Sequence, residues 1–463
     1  MAVLICISSL AFLIFMAYRG FSVILFAPIA ALLAVALTDP SLVPVTYGGV
    51  FMDRMAGFLK LYFPIFLLGA VFGKVIEISG FSRAIVSAVI GLAGRERAIF
   101  SLAVVCAILV YGGVTVFVVV FAVYPFAAET FRQSAIPKRL IPATITLGAF
   151  CFATDALPGS PQIQNLIPTT FFGTTAWAAP VLGVLGAALI LGGGLTYLEW
   201  RRRRAMANGE GYGTGHLNEP ELVETERLPS AWVAAIPLLA VVALNVIFTE
   251  VIPAIYGPKI TATLPGLKAP IEIAVSSVTG VWAAQFALAV GILLACALAF
   301  PAIKRKFADA TKVAVGGSLL ASVNTASEYG FGAVIATLPG FMVIAASTSA
   351  ITSPLLQEAL SIITLSGITG SASGGLSIAL GAFSTQFMEA ARLADIPPAV
   401  LHRIASMASG GMDTLPHNGT IITLLAVTGL THRQAYGDIF AITLIKTAAV
   451  FIVIAFYALT GIY

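Results

Sequence analysis

The chain has 463 residues, 59% of them apolar or aromatic and only 10% charged, with a formal net charge of +4. Soluble chains run about 45–50% apolar and about 25% charged, so a water-soluble globule of this size could not clothe its surface with so few charges. Ordinary soluble enzymes, nucleic-acid binders and disordered scaffolds are excluded, and a polytopic membrane protein remains.

Apolar segments fall in chain order at 2–17, 21–38, 57–78, 98–128, 140–170, 175–198, 230–250, 273–300, 313–350, 355–388, 400–428 and 436–460. A helix crosses the hydrocarbon with about 20 apolar residues. The runs are continuous rather than alternating, which argues for helices over an outer-membrane barrel. No basic region precedes the first run, and Arg19 follows it, so it reads as a transmembrane span and not as a removed signal peptide. Cys6, Cys106, Cys151 and Cys296 stand singly in apolar stretches, without metal or disulfide spacing, and read as packing residues. No cofactor motif is present.

The first half spans 1–198. Lysine and arginine placement orients it. With Arg201–Arg204 in the cytoplasm, Lys304, Arg305, Lys306 and Lys312 fall inside, as do Arg132, Lys138 and Arg139. Arg83, Arg95 and Arg97, on the other flank of segment 98–128, also look cytoplasmic. That segment therefore enters and leaves on one side, as a re-entrant hairpin with its tip at Y-G-G-V-T (111–115). Segment 140–170 is a span broken at T-D-A-L-P-G-S-P-Q-I-Q-N (154–165). The polar stretch 199–229 is a cytoplasmic linker.

The second half, 230–463, repeats the first. Glu129, Arg132, Ile136 and Pro137 match Glu389, Arg392, Ile396 and Pro397 at a constant offset of 260 residues. D-A-L-P-G-S-P-Q (155–162) answers D-T-L-P-H-N-G-T (413–420) at an offset of 258. Gly112-Gly113 answers Gly374-Gly375, and E-I-S-G-F (77–81) loosely answers E-Y-G-F (328–331). Segment 355–388 becomes a second hairpin with its tip at T-G-S-A-S-G-G (369–375), and 400–428 a second broken span. Each half counts five full spans, an odd number, so the second half inserts upside down, with both termini outside. The expected fold is an all-α polytopic membrane protein built as an inverted-topology repeat, a signature of secondary transporters.

Helix breaks at mid-membrane depth are tolerated only around protein-lined or watery cavities. Proline and glycine place four here, in two symmetric pairs. Half-helix N-termini suit an anionic ligand, and freed carbonyls and hydroxyls suit a cation or a protonated group. Asp155 and Asp413 lie beside the breaks, where a carboxylate is costly. They serve as proton or cation sites, or as caps of the second half-helices. Tyr111, Gly112, Gly113 and Thr115 at the first tip, Thr369, Gly370, Ser371 and Ser373 at the second, and Gly159, Ser160, Gln162, Gln164, Asn165, Asn418 and Thr420 in the breaks are candidates to bind substrate; their polar groups serve equally to satisfy broken backbone. His417 is a candidate for substrate or proton contact. Glu328 is a further candidate proton site, or a helix end near the membrane surface. Glu129 with Arg132, and Glu389 with Arg392, read as local i,i+3 pairs.

The chain resembles the ion transporter superfamily and, within it, the gluconate:proton symporter family (GntP), over nearly its whole length. The most specific parts are L-P-G-S-P-Q-I-Q-N-L-I-P-T-T-F-F-G-T-T-A-W (157–177) and G-S-A-S (370–373). The resemblance implies a homodimer in a bacterial cytoplasmic membrane, with a scaffold domain and a moving transport domain bearing both hairpins. It also implies elevator-type motion and proton-driven uptake of small organic anions. Gluconate permeases carry a histidine-rich L-P-P-H-P-G-P stretch where this chain has Leu157-Pro158-Gly159-Ser160-Pro161. That version looks more like the hydroxybutyrate-permease branch, which implies 3-hydroxybutyrate as substrate, with gluconate or a related sugar acid second. Superfamily relatives that use sodium leave sodium coupling open. A membrane enzyme would need an acidic magnesium cluster or HExxH, and an ATP-driven pump a P-loop; none is present. An anion channel is the competing class.

Overall fold

A computed structural model describes residues 1–19, 21–93, 97–219, 228–266, 269–348, 351, 353–416 and 418–463. The chain is helical almost throughout. It begins with α1 (Ala2–Tyr18), α2 (Val23–Thr38), the short α3 (Val43–Thr46), α4 (Asp53–Ile78) and α5 (Phe81–Ala93). A wider helical turn over Tyr47–Met52 links α3 to α4, so helical backbone runs with little interruption from Pro40 to Ile78. Next come α6 (Ala98–Tyr111), α7 (Val116–Gln133), α8 (Leu140–Ala149), the one-turn α9 (Phe152–Asp155), α10 (Ile163–Phe172) and α11 (Pro180–Ala207). The chain continues with α12 (Ala231–Tyr256), the antiparallel ribbon β1 (Lys259–Ala262) and β2 (Ile271–Ala274), α13 (Thr279–Leu298), the short α14 (Phe300–Ile303), α15 (Phe307–Ala336) and α16 (Pro339–Thr348). It closes with α17 (Pro354–Thr369), α18 (Ala372–Leu393), α19 (Pro398–Ser409), α20 (Gly419–Thr428) and α21 (His432–Thr460).

Among the described residues, the stretch Pro40–Ile78 and helices α11, α12, α13 and α21 are long and apolar enough to cross a bilayer by length and composition. Their burial fits a lipid solvent. On α12, Trp232, Leu239, Ile247 and Ile255 face outward, while Asn245 and Thr249 face the protein, the reverse of a soluble helix. One continuous apolar core runs through the molecule. Close backbone approaches tighten it where glycine leaves room. Gly332 of α15 lies against Ile378 of α18, and Gly291 of α13 against Val241 of α12 and Phe72 of α4. These are all-α polytopic membrane packings, with α4 on α15, α12 on α13, α17 on α18 and α11 on α21.

The helices depart from the apolar segments at several places. Pro339 splits 313–350 into α15 and α16, since proline is accepted in a first turn but not inside a helix. The segment after Ile78, outside those apolar runs, forms α5, and Lys259 pairs with Glu272 across the ribbon at 2.7 Å. Helix α11 continues through Arg201–Arg204, where Glu199 pairs with Arg202 and Arg203. Beyond it, residues 208–219 are strapped to helix ends of both halves. Lys138 Nζ donates to Leu217 O at 2.8 Å and pairs with Glu219 at 2.7 Å. Tyr124 Oη donates to Asn218 O at 2.8 Å, and Asn218 Nδ2 to Ala426 O of α20 at 2.8 Å. Arg139 bridges Glu210 (2.7 Å) and Asp438 of α21 (2.9 Å), and its hydrogen bonds hold the Glu210 carboxyl below the ordinary carboxylate range. Glu129–Arg132 and Glu389–Arg392 form i,i+3 pairs at 3.1 and 2.7 Å.

Candidate functional site

The first break lies between α9 and α10. Pro158 and Pro161 carry no N–H, and Gly159 takes φ +79°, a conformation glycine enters without strain. The ring of Trp177 rests on Gly159 where a side chain would otherwise stand, and its Nε1 is fixed by Asn245 Oδ1 at 2.9 Å. Ser160 Oγ donates to Ala153 O at 2.7 Å. Asn165 Nδ2 donates to Ser160 O and Ala176 O, both at 2.9 Å. These two fully buried side chains thus supply bonds that the interrupted helix lacks.

The tip between α6 and α7 docks on this break. Tyr111 Oη donates to Pro158 O at 2.7 Å, and Gln162 Nε2 to Val110 O at 2.8 Å. The other side of the tip is tight: a side chain at Gly112 would strike Leu238, and Gly113 (φ +96°) faces Leu288 and Phe72. Thr115, the N-cap of α7, makes no capping bond. Gln164 Oε1 is buried without a hydrogen-bond partner among the described residues.

The second break, between α19 and α20, is built in parallel fashion. Asn418 caps α20, its Oδ1 accepting from Thr420 N at 2.6 Å and Ile421 N at 2.9 Å. Its Nδ2 donates to Asp413 O at 2.9 Å and to Gly370 O at 2.8 Å. Asn418 therefore ties the second tip to the second break, as Gln162 ties the first. At that tip Gly370 takes φ +63°, Thr369 Oγ1 returns to Leu365 O, and Ser371 Oγ caps α18 by accepting from Gly374 N at 3.0 Å. Ser373 Oγ lies 3.4 Å from Thr325 Oγ1 and 3.5 Å from Ser371 Oγ. Glu328 of α15 joins this group. It is 6% exposed, and its carboxylate is packed against Gly374. His417 lies outside the described residues.

The two breaks meet back to back. A side-chain oxygen of Asp155 packs on Gly410, and among the described residues Asp155 Oδ1 has no hydrogen-bond partner. Lys446 of α21 ion-pairs with Asp413 and reaches Phe150 O at 3.5 Å. Arg403 of α19, fully buried, clamps the first break. Its Nε and Nη2 donate to Ala178 O at 3.1 and 2.8 Å, Nη2 to Ala176 O at 3.2 Å, and Nη1 to Asn165 Oδ1 at 3.0 Å. Next to it, His402 bridges Thr174 Oγ1 at 2.6 Å and Asn165 Oδ1 at 3.2 Å. Two buried carboxylates thus share the interior with one ammonium and one guanidinium, a set that sums to zero when all are ionised. Arg403, His402 and Lys446 are absent from the candidates that the sequence suggests. The available signal was their position inside apolar segments, where ionisable groups are rarely idle.

The Gly410–Asp155 contact makes a direct prediction. A methyl at 410 would lie 1.8 Å from Asp155 Oδ2. Gly410→Ala is expected to lower stability by about 1–3 kcal/mol through overpacking and to abolish transport; melting temperature and uptake in the same preparation check this.

No family model matches the chain. It is 52% identical over 471 aligned positions, covering the full length of both chains, to the Bacillus subtilis (strain 168) protein described as the uncharacterized transporter YxjC. Among solved structures it is similar to the Alcanivorax borkumensis YdaH transporter, whose crystal structure is described as revealing an unusual topology. The TM-score is 0.53 at 14% identity, over 89% of this chain and 88% of that one. The likeness to the YdaH transporter is one of fold. Identity over its full length settles the family: the chain is a multi-pass membrane transporter and belongs to the family of the Bacillus subtilis transporter YxjC.

Proposed function

We propose that this transporter is a proton-coupled symporter of a small organic monocarboxylate such as 3-hydroxybutyrate, working across the cytoplasmic membrane of a bacterium. The observation that carries the reading is the charge-balanced cluster of Asp155, Asp413, Lys446 and Arg403 where the two broken helices meet. An anion arriving at such a cluster leaves one uncompensated negative charge, and one proton restores balance; movement through a low-dielectric interior favours the neutral state. The N-termini of α10, α18 and α20 begin at the breaks and the second tip, where the helix dipoles suit a carboxylate, and the N-cap of α10, Gln162, makes no side-chain capping bond. The residues of both tips and both breaks, from Tyr111, Gly112, Gly113 and Thr115 to Asn418 and Thr420, line the substrate path in this reading. His417 belongs to it by sequence position.

The two halves, 1–198 and 230–463, are inverted copies in this proposal, joined by the linker 199–229. Each carries one re-entrant hairpin, and the hairpins move with the broken helices as a transport domain against a scaffold. A homodimer and elevator-type motion complete the scheme. Sodium is the second reading for the coupling ion, favoured by the oxygen-rich group of Glu328, Thr325, Ser371 and Ser373 at the second tip. Gluconate is the second reading for the substrate.

Labelled 3-hydroxybutyrate offered to proteoliposomes under an inward proton gradient tests the function. Accumulation that collapses with a protonophore supports proton symport. Accumulation driven by sodium alone refutes proton coupling, no accumulation of this acid moves the substrate to gluconate, and conduction without accumulation makes the protein a channel. Asp155→Asn keeps the size of a side chain whose Oδ1 has no hydrogen-bond partner among the described residues, and folded, inserted variant protein is expected to lose accumulation. Wild-type accumulation by this variant would remove Asp155 from the coupling machinery.

A further inference from the structure

We propose that Glu358, on the shaft of the second hairpin, is a proton-binding site of the transport cycle; the inference rests on the proton-coupled reading above and assigns it a residue outside the tips and breaks. Glu358 lies in the first helix of the hairpin, α17, eleven residues before Thr369, or roughly 17 Å from the tip by helix rise. It is fully buried, and among the described residues neither carboxylate oxygen has a hydrogen-bond or ionic partner. Polar side chains are normally buried with partners, and an ionisable residue within a membrane-spanning segment marks an ion or proton pathway by default.

Among the described residues of the helices packed against α17, no charge pairs with the ionised form. The helices packed against α17 are α18, α19, α21 and α1, and their charged and titratable groups are engaged elsewhere or exposed. On α18, Glu389 and Arg392 pair with each other. On α19, His402 and Arg403 serve the first break. On α21, Lys446 pairs with Asp413, Asp438 pairs with Arg139 and Arg201, His432 bonds Pro416 O, and Arg433 is exposed. The described part of α1 carries no charged side chain. In the proposed cycle Glu358 carries a proton in this setting and releases it when its surroundings change.

The hairpin supplies both a way in and a reason for coupling. Gln357, the neighbouring residue, lines a surface cavity of about 470 Å³ at the base of the hairpin, together with Gln386 and Glu389 of α18. Towards the tip, Ser366 and Ser377 are also fully buried, each with a hydroxyl that has no hydrogen-bond partner among the described residues. The hairpin thus carries ionisable and hydroxylic groups along its interior between the cavity at its base and its tip. With the proton on Glu358 the hairpin crosses the bilayer without an uncompensated charge; with the proton released to water it cannot. The proton is taken up on one carboxylate oxygen from one side and returned to solvent on the other, with no other change in bonding.

Two measurements on the full chain in liposomes test this. Infrared difference spectra of wild type at neutral pH are expected to contain the C=O stretch of a protonated carboxylic acid that is missing from Glu358→Gln and shifted in Glu358→Asp. Glu358→Gln, permanently neutral, is expected to exchange 3-hydroxybutyrate between equal pools while losing accumulation under a proton gradient. The proposal is overturned if the infrared spectrum of Glu358→Gln matches wild type, if that variant accumulates substrate as wild type does, or if folded variant protein loses exchange as well. If wild type itself accumulates no 3-hydroxybutyrate, the substrate reading has failed and the infrared comparison decides the site alone. If Glu358→Gln does not assemble, Glu358→Asp decides through its shifted band.

Discussion

Arg403→Met is expected to lower stability by about 3–5 kcal/mol and to abolish transport. The guanidinium is fully buried and donates to Ala176 O, Ala178 O and Asn165 Oδ1 at 2.8–3.2 Å, with Asp155 O at 3.4 Å. Methionine fills the volume and supplies no donor. Each buried acceptor left without a partner costs about 1–3 kcal/mol, and removing one member of a compensated buried charge set costs about 3–5 kcal/mol. Arg403→Lys should recover little, because an ammonium on a flexible stem cannot span acceptors arranged for a planar fork. Melting temperature of the detergent-solubilised protein reads the first effect and proteoliposome uptake the second. A folded Arg403→Met protein with wild-type uptake would show that the first break does not depend on this clamp.

Lys446 and Asp413 form the second case, and here a pair of changes separates structure from transport. Both side chains are almost fully buried, and each compensates the other. Lys446→Met leaves Asp413 as an unpaired buried carboxylate, and Asp413→Asn leaves an unpaired buried ammonium. Each single change is expected to cost about 3–5 kcal/mol, whereas the double variant, which removes both charges, should recover most of that loss. All three are expected to lack proton-driven accumulation. A double variant as unstable as the sum of the singles would mean that each side chain matters through separate contacts rather than through the pair.

Much of the architecture is legible in the residues because helix breaks and apolar length are local properties. Pro158, Gly159 and Pro161, and likewise Gly410, Gly411 and Pro416, interrupt helices wherever they fall in the fold. The membrane class follows from composition alone. The partnerships across the site were not legible in the same way. Arg403 reaches Asn165 across 238 residues, and Tyr111 reaches Pro158 across 47. No periodicity along one helix encodes which carbonyl a distant guanidinium will satisfy. Lys446 could be placed within a span, yet its pairing with Asp413 depends on how α21 packs beside the second break. The isolation of Glu358 emerges only once α17 is surrounded. The ribbon Lys259–Ala274 follows from cross-strand pairing between short segments, which apolar length does not report.

The central claim is that a carboxylate binds between the two hairpin tips and the two helix breaks. Thr115→Cys and Ser371→Cys place half-buried thiols at the two tips, and their reaction rates with a water-soluble maleimide, with and without saturating 3-hydroxybutyrate, measure that claim most directly. The account predicts that the acid slows labelling at both tips and leaves an exposed control such as Arg433→Cys unchanged. Labelling at both tips that is indifferent to an acid the same preparation transports would place the substrate elsewhere and contradict the account.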